Sequence, residues 1–341
     1  MVGPQGSPGQ STCALKLNYS SNGNLCCMKI RLGHSPDSDD AFMFWGLASG
    51  AVKTEHEFEH ILRDIQTLND WAMEGRLESS AVSVHAFAYV ADKYALLRHG
   101  GSFGENYGPM IVAKRPLSWE ELRQTKIAVP GKLTSAFLAL NLYFAEQAKR
   151  EPVGTGVSWD CGERPTLSST PQPPSSSGTK HPDEEGGVRY EVVPFDDIIP
   201  SINRGDFEAG VIIHEGQLTY EKEGMVLIED LGKWWKGSTG LPLPLGVNVV
   251  RKDLGPEIVK DVSRCMRESI SAGLDNRQEA LRYALQFARG MDVETSDEFV
   301  GMYVNERTLD MGDEGVSAIR LFLQRGADIG LVPPVEIEVA D

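Results

Sequence analysis

Short apolar runs alternate with amphipathic ones from Lys29 to Val250, and beyond Pro256 only the amphipathic pattern continues. A short apolar-rich run between turn formers is strand-like. A longer segment with apolar residues three and four apart is helix-like. The pattern predicts strands at Lys29–Leu32, Phe58–Leu62, Ala81–Val84, Met110–Ala113, Lys126–Val129, Tyr190–Val193, Ala209–Ile213, Met225–Ile228 and Gly246–Val250. It predicts helices at Asp40–Ala48, Ile65–Glu74, Trp119–Arg123, Ser135–Ala148, Asp197–Arg204, Gln217–Lys222, Pro256–Ala272, Gln278–Ala288, Ser296–Asn305 and Gly315–Gln324. Such alternation restricts the chain to the α/β class with a parallel-rich sheet. No G-x-G-x-x-G follows the first strand and no G-x-x-x-x-G-K-[ST] occurs, so dinucleotide and phosphate-loop readings lose their main support. At 341 residues the chain is long enough for two lobes around a ligand cleft.

Charge narrows the partners. With 33 basic against 49 acidic side chains the formal charge is −16, and no Lys/Arg-rich run offsets it locally, which argues against nucleic acid. No stretch approaches the roughly 18–20 uninterrupted apolar residues of a membrane span. The first 27 residues carry one charge, Lys16, and no apolar run of signal-peptide length. They read either as a disordered tail or as sequence upstream of the true start, for which Met28 is the candidate. The five cysteines (Cys13, Cys26, Cys27, Cys161, Cys265) have no paired spacing and support neither a zinc site nor a disulfide framework. A cytoplasmic location follows as the expectation. Within Gly162–Gly187, 17 of 26 residues are Pro, Ser, Gly or Thr, and Leu167 is the only large apolar one. Such a stretch buries too little to offset its ordering entropy, so 150–187 is expected to be a disordered insertion.

Four segments carry polar groups at places where chemistry could occur. Gly33–Asp40, GHSPDSDD, leaves the first strand and enters a helix. Its aspartates fit helix capping; a calcium loop is not supported, because the Gly and distal Glu are missing. His34 stands at a strand's carboxyl end, as a pocket-lining residue would. Ser79–Phe87 is a small-residue strand ending in Ser and His: either a buried strand with Ser83 as an N-cap, or a surface that lets a ligand approach the backbone. At Val129–Phe137 a strand ends in Pro-Gly, and Thr134 and Ser135 open an apolar helix. That geometry suits a carboxylate at the helix N-terminus, and it equally suits plain N-capping by Thr134. Ala209–Gln217 delivers His214 and Glu215 at the end of an apolar strand, where functional groups gather in α/β proteins. An imidazole with an ordinary pKa of ~6.5 is the default general base near neutrality, although a structural histidine fits as well. No Ser or Cys sits in a nucleophile elbow. Trp234-Trp235 and Leu241–Gly246 read as an extended apolar crossover between lobes, with Tyr107-Gly108-Pro109 as its counterpart.

Taken together, HSPDSDDAFMF (34–44), SVHAFAY (83–89), YGPMIVA (107–113), PGKLTSAFLAL (130–140), IIHEGQLTY (212–220) and TGLPLPLGVNVV (239–250) resemble the menaquinone-biosynthesis family of the futalosine pathway, which contains 1,4-dihydroxy-6-naphthoate synthase. HEGQLTY and GLPLPLG favour that branch over the related chorismate dehydratases. The tail and the 150–187 insertion depart from the family pattern without removing a motif residue.

The resemblance implies a two-lobed, type II periplasmic-binding-protein-like fold with the site in the inter-lobe cleft. One lobe would be 28–108 plus 245–341, the other 109–244. It implies a carbon–carbon lyase that cleaves the sugar-derived part from cyclic dehypoxanthine futalosine and leaves 1,4-dihydroxy-6-naphthoate. The histidine matching His214 would be the proton acceptor, and the residues matching Ser83, Val84, Thr134 and Ser135 would line the substrate site. The substrate is a small carboxylate, and neither metal nor cofactor is expected. Two rivals stand beside this expectation: chorismate dehydration on the same fold, and a solute-binding module without chemistry.

Overall fold

The computed structural model describes residues 27–150, 187–288 and 292–340. The tail and the Ser/Pro-rich insertion lie, but for their edge residues, outside this range.

Twelve strands are present among the described residues: β1 (Lys29–His34), β2 (Glu57–Leu62), β3 (Ser79–Ser83), β4 (Tyr94–Leu97), β5 (Ser102–Gly104), β6 (Met110–Ala113), β7 (Ile127–Val129), β8 (Tyr190–Val192), β9 (Ala209–Ile212), β10 (Val226–Asp230), β11 (Leu243–Arg251) and β12 (Val339–Ala340). They form two sheets. The first runs β12-β4-β11-β3-β1-β2, with β5 also paired to β11; the second runs β10-β6-β9-β7-β8. The chain therefore leaves the first sheet after β5, builds the whole of the second, and returns along β11.

The sheets are mixed, not parallel-rich as the sequence pattern suggested. β1 pairs parallel with β2 and β3, and β7 parallel with β8 and β9. β11 runs antiparallel to β3, β4 and β5, and β6 antiparallel to β9 and β10. β6 and β11, the strands with the antiparallel partners, are the first strands after the two crossings between the sheets.

The helices are placed by local signals. Asp64 caps Ile65–Met73 by accepting Thr67 N–H at 3.0 Å, and Ser118 with Glu121 closes a capping box on Trp119–Leu122. The expected helix at 40–48 is broken into Ser38–Met43 and Trp45–Ala48 at Phe44. Trp234 and Trp235, expected in an extended crossover, lie in the helix Leu231–Thr239. Asp230 caps it by accepting Gly232 and Lys233 N–H, and a left-handed Gly240 ends it. The Leu-Pro run enters β11 at Leu243. Trp235 is fully buried and donates Nε1–H to Pro242 O at 3.1 Å, which fixes the corner between that helix and β11.

One large core joins both sheets. It contains Val82 and Val247 from the first, Ile111 and Val129 from the second, and Phe137, Trp235, Ile319 and Phe322 from the helices between and behind them. A second core, with Ile30, Phe42, Phe44 and Ile270, lies under the first sheet; a third, with Ile198, Ile202 and Ile212, covers the second.

Candidate active site

The carboxyl ends of β1, β3, β7 and β9 converge on a cleft between the sheets. Its free space, open mouth included, is about 810 Å³. The first sheet's side contributes Ser35, Asp37, Asp39, Asp40, Met43, Ser83 and Leu245–Asn248; the second contributes Thr134–Ala136, Ile213, His214 and Gln217; Tyr303 closes the wall from a C-terminal helix.

His214 is set by its backbone. β9 ends at Ile212, and two residues later φ is 55°, a left-handed conformation that a non-glycine residue rarely adopts. It turns the imidazole off the strand into the cleft. Gln217 N–H bonds His214 O at 3.1 Å, and the Phe195 ring meets the imidazole edge-on at 5.0 Å. His214 Nδ1 stands 3.3 Å from Asp37 Oδ2, across the gap between the sheets. A proton on Nδ1 facing that carboxylate leaves the Nε2 lone pair as the basic site.

Asp37 was legible only as a helix cap, and it is not one. It occupies the N-cap position of Ser38–Met43, but its side chain makes no capping bond. Instead Oδ2 accepts Ser35 Oγ–H at 2.5 Å and faces His214. Asp40 Oδ2 accepts Ser35 N–H at 2.7 Å, so Ser35 ties two of the three aspartates together. Burial and the neighbouring carboxylates push the Asp39 and Asp40 pKa values up from the usual carboxylate range. Among the described residues, no three His, Cys, Asp or Glu side chains converge as a metal site requires.

The opposite wall is the start of the helix Ser135–Arg150. Thr134 caps it: Oγ1 accepts Phe137 N–H at 3.2 Å and donates to Gly131 O at 2.8 Å. Ser135 Oγ donates to Leu245 O at 2.5 Å, a bond from the second sheet's helix to β11. Both hydroxyl protons are thus used within the protein. What this wall offers an anion is the first-turn backbone N–H groups and the dipole behind them. Asn69, fully buried, clamps Ser83 beside it: its Nδ2 donates to Ser83 Oγ and its Oδ1 accepts Ser83 N–H.

Of the residues singled out from the sequence, Ser83, Thr134, Ser135 and His214 share this cleft. Val84 does not line it; it is fully buried in the core, and Val82 and Ser83 take the wall positions. His34 does not line the cleft either; it is buried, its ring tilted 34° to that of Phe44 at 4.4 Å, with Nε2 3.0 Å from His60 Nδ1. Burial lowers its pKa to about 3. His85 is buried as well, its pKa lowered to about 4, and it contacts Thr134 O at 3.2 Å from behind. Three wall residues carried no sequence signal as site residues. Asn248 donates Nδ2–H to Gly100 O at 2.9 Å and keeps a buried Oδ1 without a partner among the described residues. Tyr303 donates Oη–H to Gln217 Oε1 at 3.1 Å, linking the C-terminal helices to the second sheet. Gln217 and Asn248 lay in quoted motifs, HEGQLTY and TGLPLPLGVNVV, without being singled out; Tyr303 lay in none.

The comparisons with known proteins agree with this arrangement. Of the solved structures, a crystal structure of an Archaeoglobus fulgidus protein is 36% identical, with a TM-score of 0.74 over 89% of this chain and 98% of that one. A Candida albicans protein described as showing the generic periplasmic-binding-protein fold superposes with a TM-score of 0.58. At 11% identity over 90% of this chain and 92% of that one, it shows the fold alone. The fold is periplasmic-binding-protein-like. In sequence the chain is 37% identical to the 1,4-dihydroxy-6-naphtoate synthase of Thermus thermophilus, over 89% of this chain and 96% of the relative. Residues 30–158 and 182–328 match the family described as menaquinone biosynthesis, and the chain belongs to that family.

Proposed function

We propose that the protein is a carbon–carbon lyase that converts cyclic dehypoxanthine futalosine to 1,4-dihydroxy-6-naphthoate in menaquinone biosynthesis, with His214 as general base. The observation that carries this reading is the pair formed across the cleft: a strained His214 whose Nδ1 faces a buried carboxylate, opposite the N-terminus of a long helix. The family membership and the naphthoate-synthase relative supply the reaction class.

The charge layout orients the substrate. The Asp37 carboxylate lines one wall and repels another carboxylate; the Ser135–Arg150 helix start attracts one. The substrate's carboxylate therefore goes to Ser135 and Ala136, beside Ser83. Its hydroxylated, sugar-derived end goes to Asp37, Asp39 and His214. There the base removes a hydroxyl proton and the carbon–carbon bond breaks, with aromatisation of the remaining ring as driving force. The two sheets support a division into lobes 28–108 plus 245–341 and 109–244, closing on the substrate and excluding water. A lyase of this pathway works where its nucleoside-derived substrate is made, which we take to be the cytoplasm.

The test is a product assay with the purified protein. Naphthoate formation from cyclic dehypoxanthine futalosine is expected, with His214→Asn slower by roughly 100-fold or more. Wild-type turnover by His214→Asn would remove the base assignment. Enolpyruvyl-benzoate from chorismate would reassign the enzyme to the sister activity, and unchanged release of both compounds would make it a binding module.

A further inference from the structure

We propose that Asp39 is a second catalytic residue of this cleft, the proton donor that works with the base His214. The inference rests on the lyase reading above and adds a role to it.

Its ground is the different fate of the three neighbouring carboxyls. Asp37 Oδ2 is engaged by Ser35 Oγ and His214 Nδ1, and Asp40 Oδ2 by Ser35 N–H. Asp39 lines the same cleft; its carboxyl is bonded from the Asp40 backbone, but its Oδ1 is buried and has no hydrogen-bond partner among the described residues. An ionised carboxylate in that position would bear a desolvation penalty that this one backbone bond offsets only in part. A neutral carboxylic acid bears much less of it, and it presents an O–H to whatever fills the cleft.

The groups that face Asp39 come from four places. Asp37 and Asp40 flank it on its own segment, His214 approaches from the turn after β9, Tyr107 from the segment between β5 and β6, and Tyr303 from the end of Val293–Tyr303. None is a lysine or arginine. Burial is the largest influence, the two carboxylates act in the same direction, and the imidazole opposes them more weakly; together they push the Asp39 carboxyl up to about 8. Tyr107 and Tyr303 are held above the ordinary phenol range by burial, so both stay neutral and take no proton from it. A carboxyl kept neutral beside a basic histidine is the usual division of labour between an acid and a base.

The step balances without a further reactant. His214 Nε2 takes the proton of a substrate hydroxyl, and the O–H electron pair becomes the second bond of a carbonyl in the departing fragment. The carbon–carbon bond breaks, and its electron pair passes through the ring system onto a ring carbonyl oxygen. That oxygen takes the proton of Asp39 and becomes a phenol of the aromatic product. One proton is removed and one delivered. The imidazolium and the Asp39 carboxylate then return to their starting states by proton exchange with solvent once the cleft opens.

The experiment compares wild type, Asp39→Asn, Asp39→Glu and His214→Asn in the naphthoate assay across the neutral and alkaline range. Asp39→Asn is expected to lose roughly 100-fold or more in kcat, with KM within about threefold of wild type, and to lack the alkaline fall in kcat that the wild type shows. Asp39→Glu is expected to recover part of the rate. An Asp39→Asn variant within about threefold of the wild-type kcat and still showing that alkaline limb would overturn the proposal while leaving the His214 reading intact. A rise in KM with kcat unchanged would overturn it in favour of a binding role. No product from wild-type protein would remove the lyase reading and this inference with it. Infrared spectroscopy of the isolated protein gives a readout independent of turnover: a protonated-carboxyl band at pH ~7.5 that is weaker in Asp39→Asn by the contribution of one carboxyl. Its absence in wild type would equally overturn the assignment.

Discussion

At His214 a left-handed backbone at φ 55°, which is unfavourable, coincides with an imidazole held against a carboxylate from the other sheet. Strain of this kind costs on the order of 1–3 kcal/mol and persists only where the surroundings enforce it. Here they do so through Asp37, which is 2% exposed and fixed by the Ser35 hydroxyl. The carboxylate selects the tautomer with the proton on Nδ1, and that leaves Nε2 basic. Asp37→Asn keeps the shape but can present an N–H to Nδ1, which reverses the tautomer. Its kcat is expected to fall at least ~10-fold with KM little changed; steady-state kinetics would check this, and an unchanged kcat would show that the contact does not orient the base. Asp37 also shows where sequence reasoning stops. An Asp before a helix is a cap by every local signal, and only the second sheet, some 180 residues along the chain, supplies the partner that draws it away.

Elements were legible where their signals are local. The strand ends that carry Ser83 and His214 and the helix start at Thr134 were read to within two residues, because apolar runs closed by turn formers or caps mark them. The helix Leu231–Thr239 was not, since its interior holds Gly232, Gly237 and two tryptophans, all poor helix formers; burial of Trp235 overrides that. β4, β5 and the two-residue β12 were not anticipated. The helix start at Thr134 is also where an element's stability and its ligand chemistry separate. Thr134→Val removes the oxygen that accepts Phe137 N–H and donates to Gly131 O. The expected outcome is a loss of about 1 kcal/mol in urea unfolding, the usual worth of a cap, together with a higher KM and an unchanged kcat. Thr134→Ser, which keeps the hydroxyl, should restore both. A variant with wild-type KM would mean that the substrate carboxylate lies elsewhere.

On the scale of the whole molecule, two sets of buried groups couple folding to pH with opposite sign. His34 and His85 have their pKa values lowered to about 3 and about 4 by burial, against an ordinary value near 6.5. The unfolded chain takes up these protons before the native state does, so their contribution is intact above pH ~6.5 and is lost as pH falls towards ~3–4. Asp39 and Asp40 are raised to about 8 and about 7 from an ordinary 3.8. Here the native state holds protons that the unfolded chain has released, so stability declines as pH rises from ~4 to ~8. Between ~4 and ~6.5 the two slopes oppose each other and partly cancel. Between ~6.5 and ~8 the histidines have finished titrating and the aspartates act alone. Thermal melts of the wild type are therefore expected to show a Tm falling from pH ~6.5 to ~8. Asp39→Asn, which has no proton to lose, should flatten that fall and gain about 1 kcal/mol at the alkaline end, roughly 2–4 °C. The same substitution is expected to slow catalysis, so stability and activity move in opposite directions at one residue. A wild-type Tm that is level from pH ~6.5 to ~8, or an Asp39→Asn curve parallel to it, would show that Asp39 is ionised in the folded protein and that the acid wall of the cleft carries its full charge.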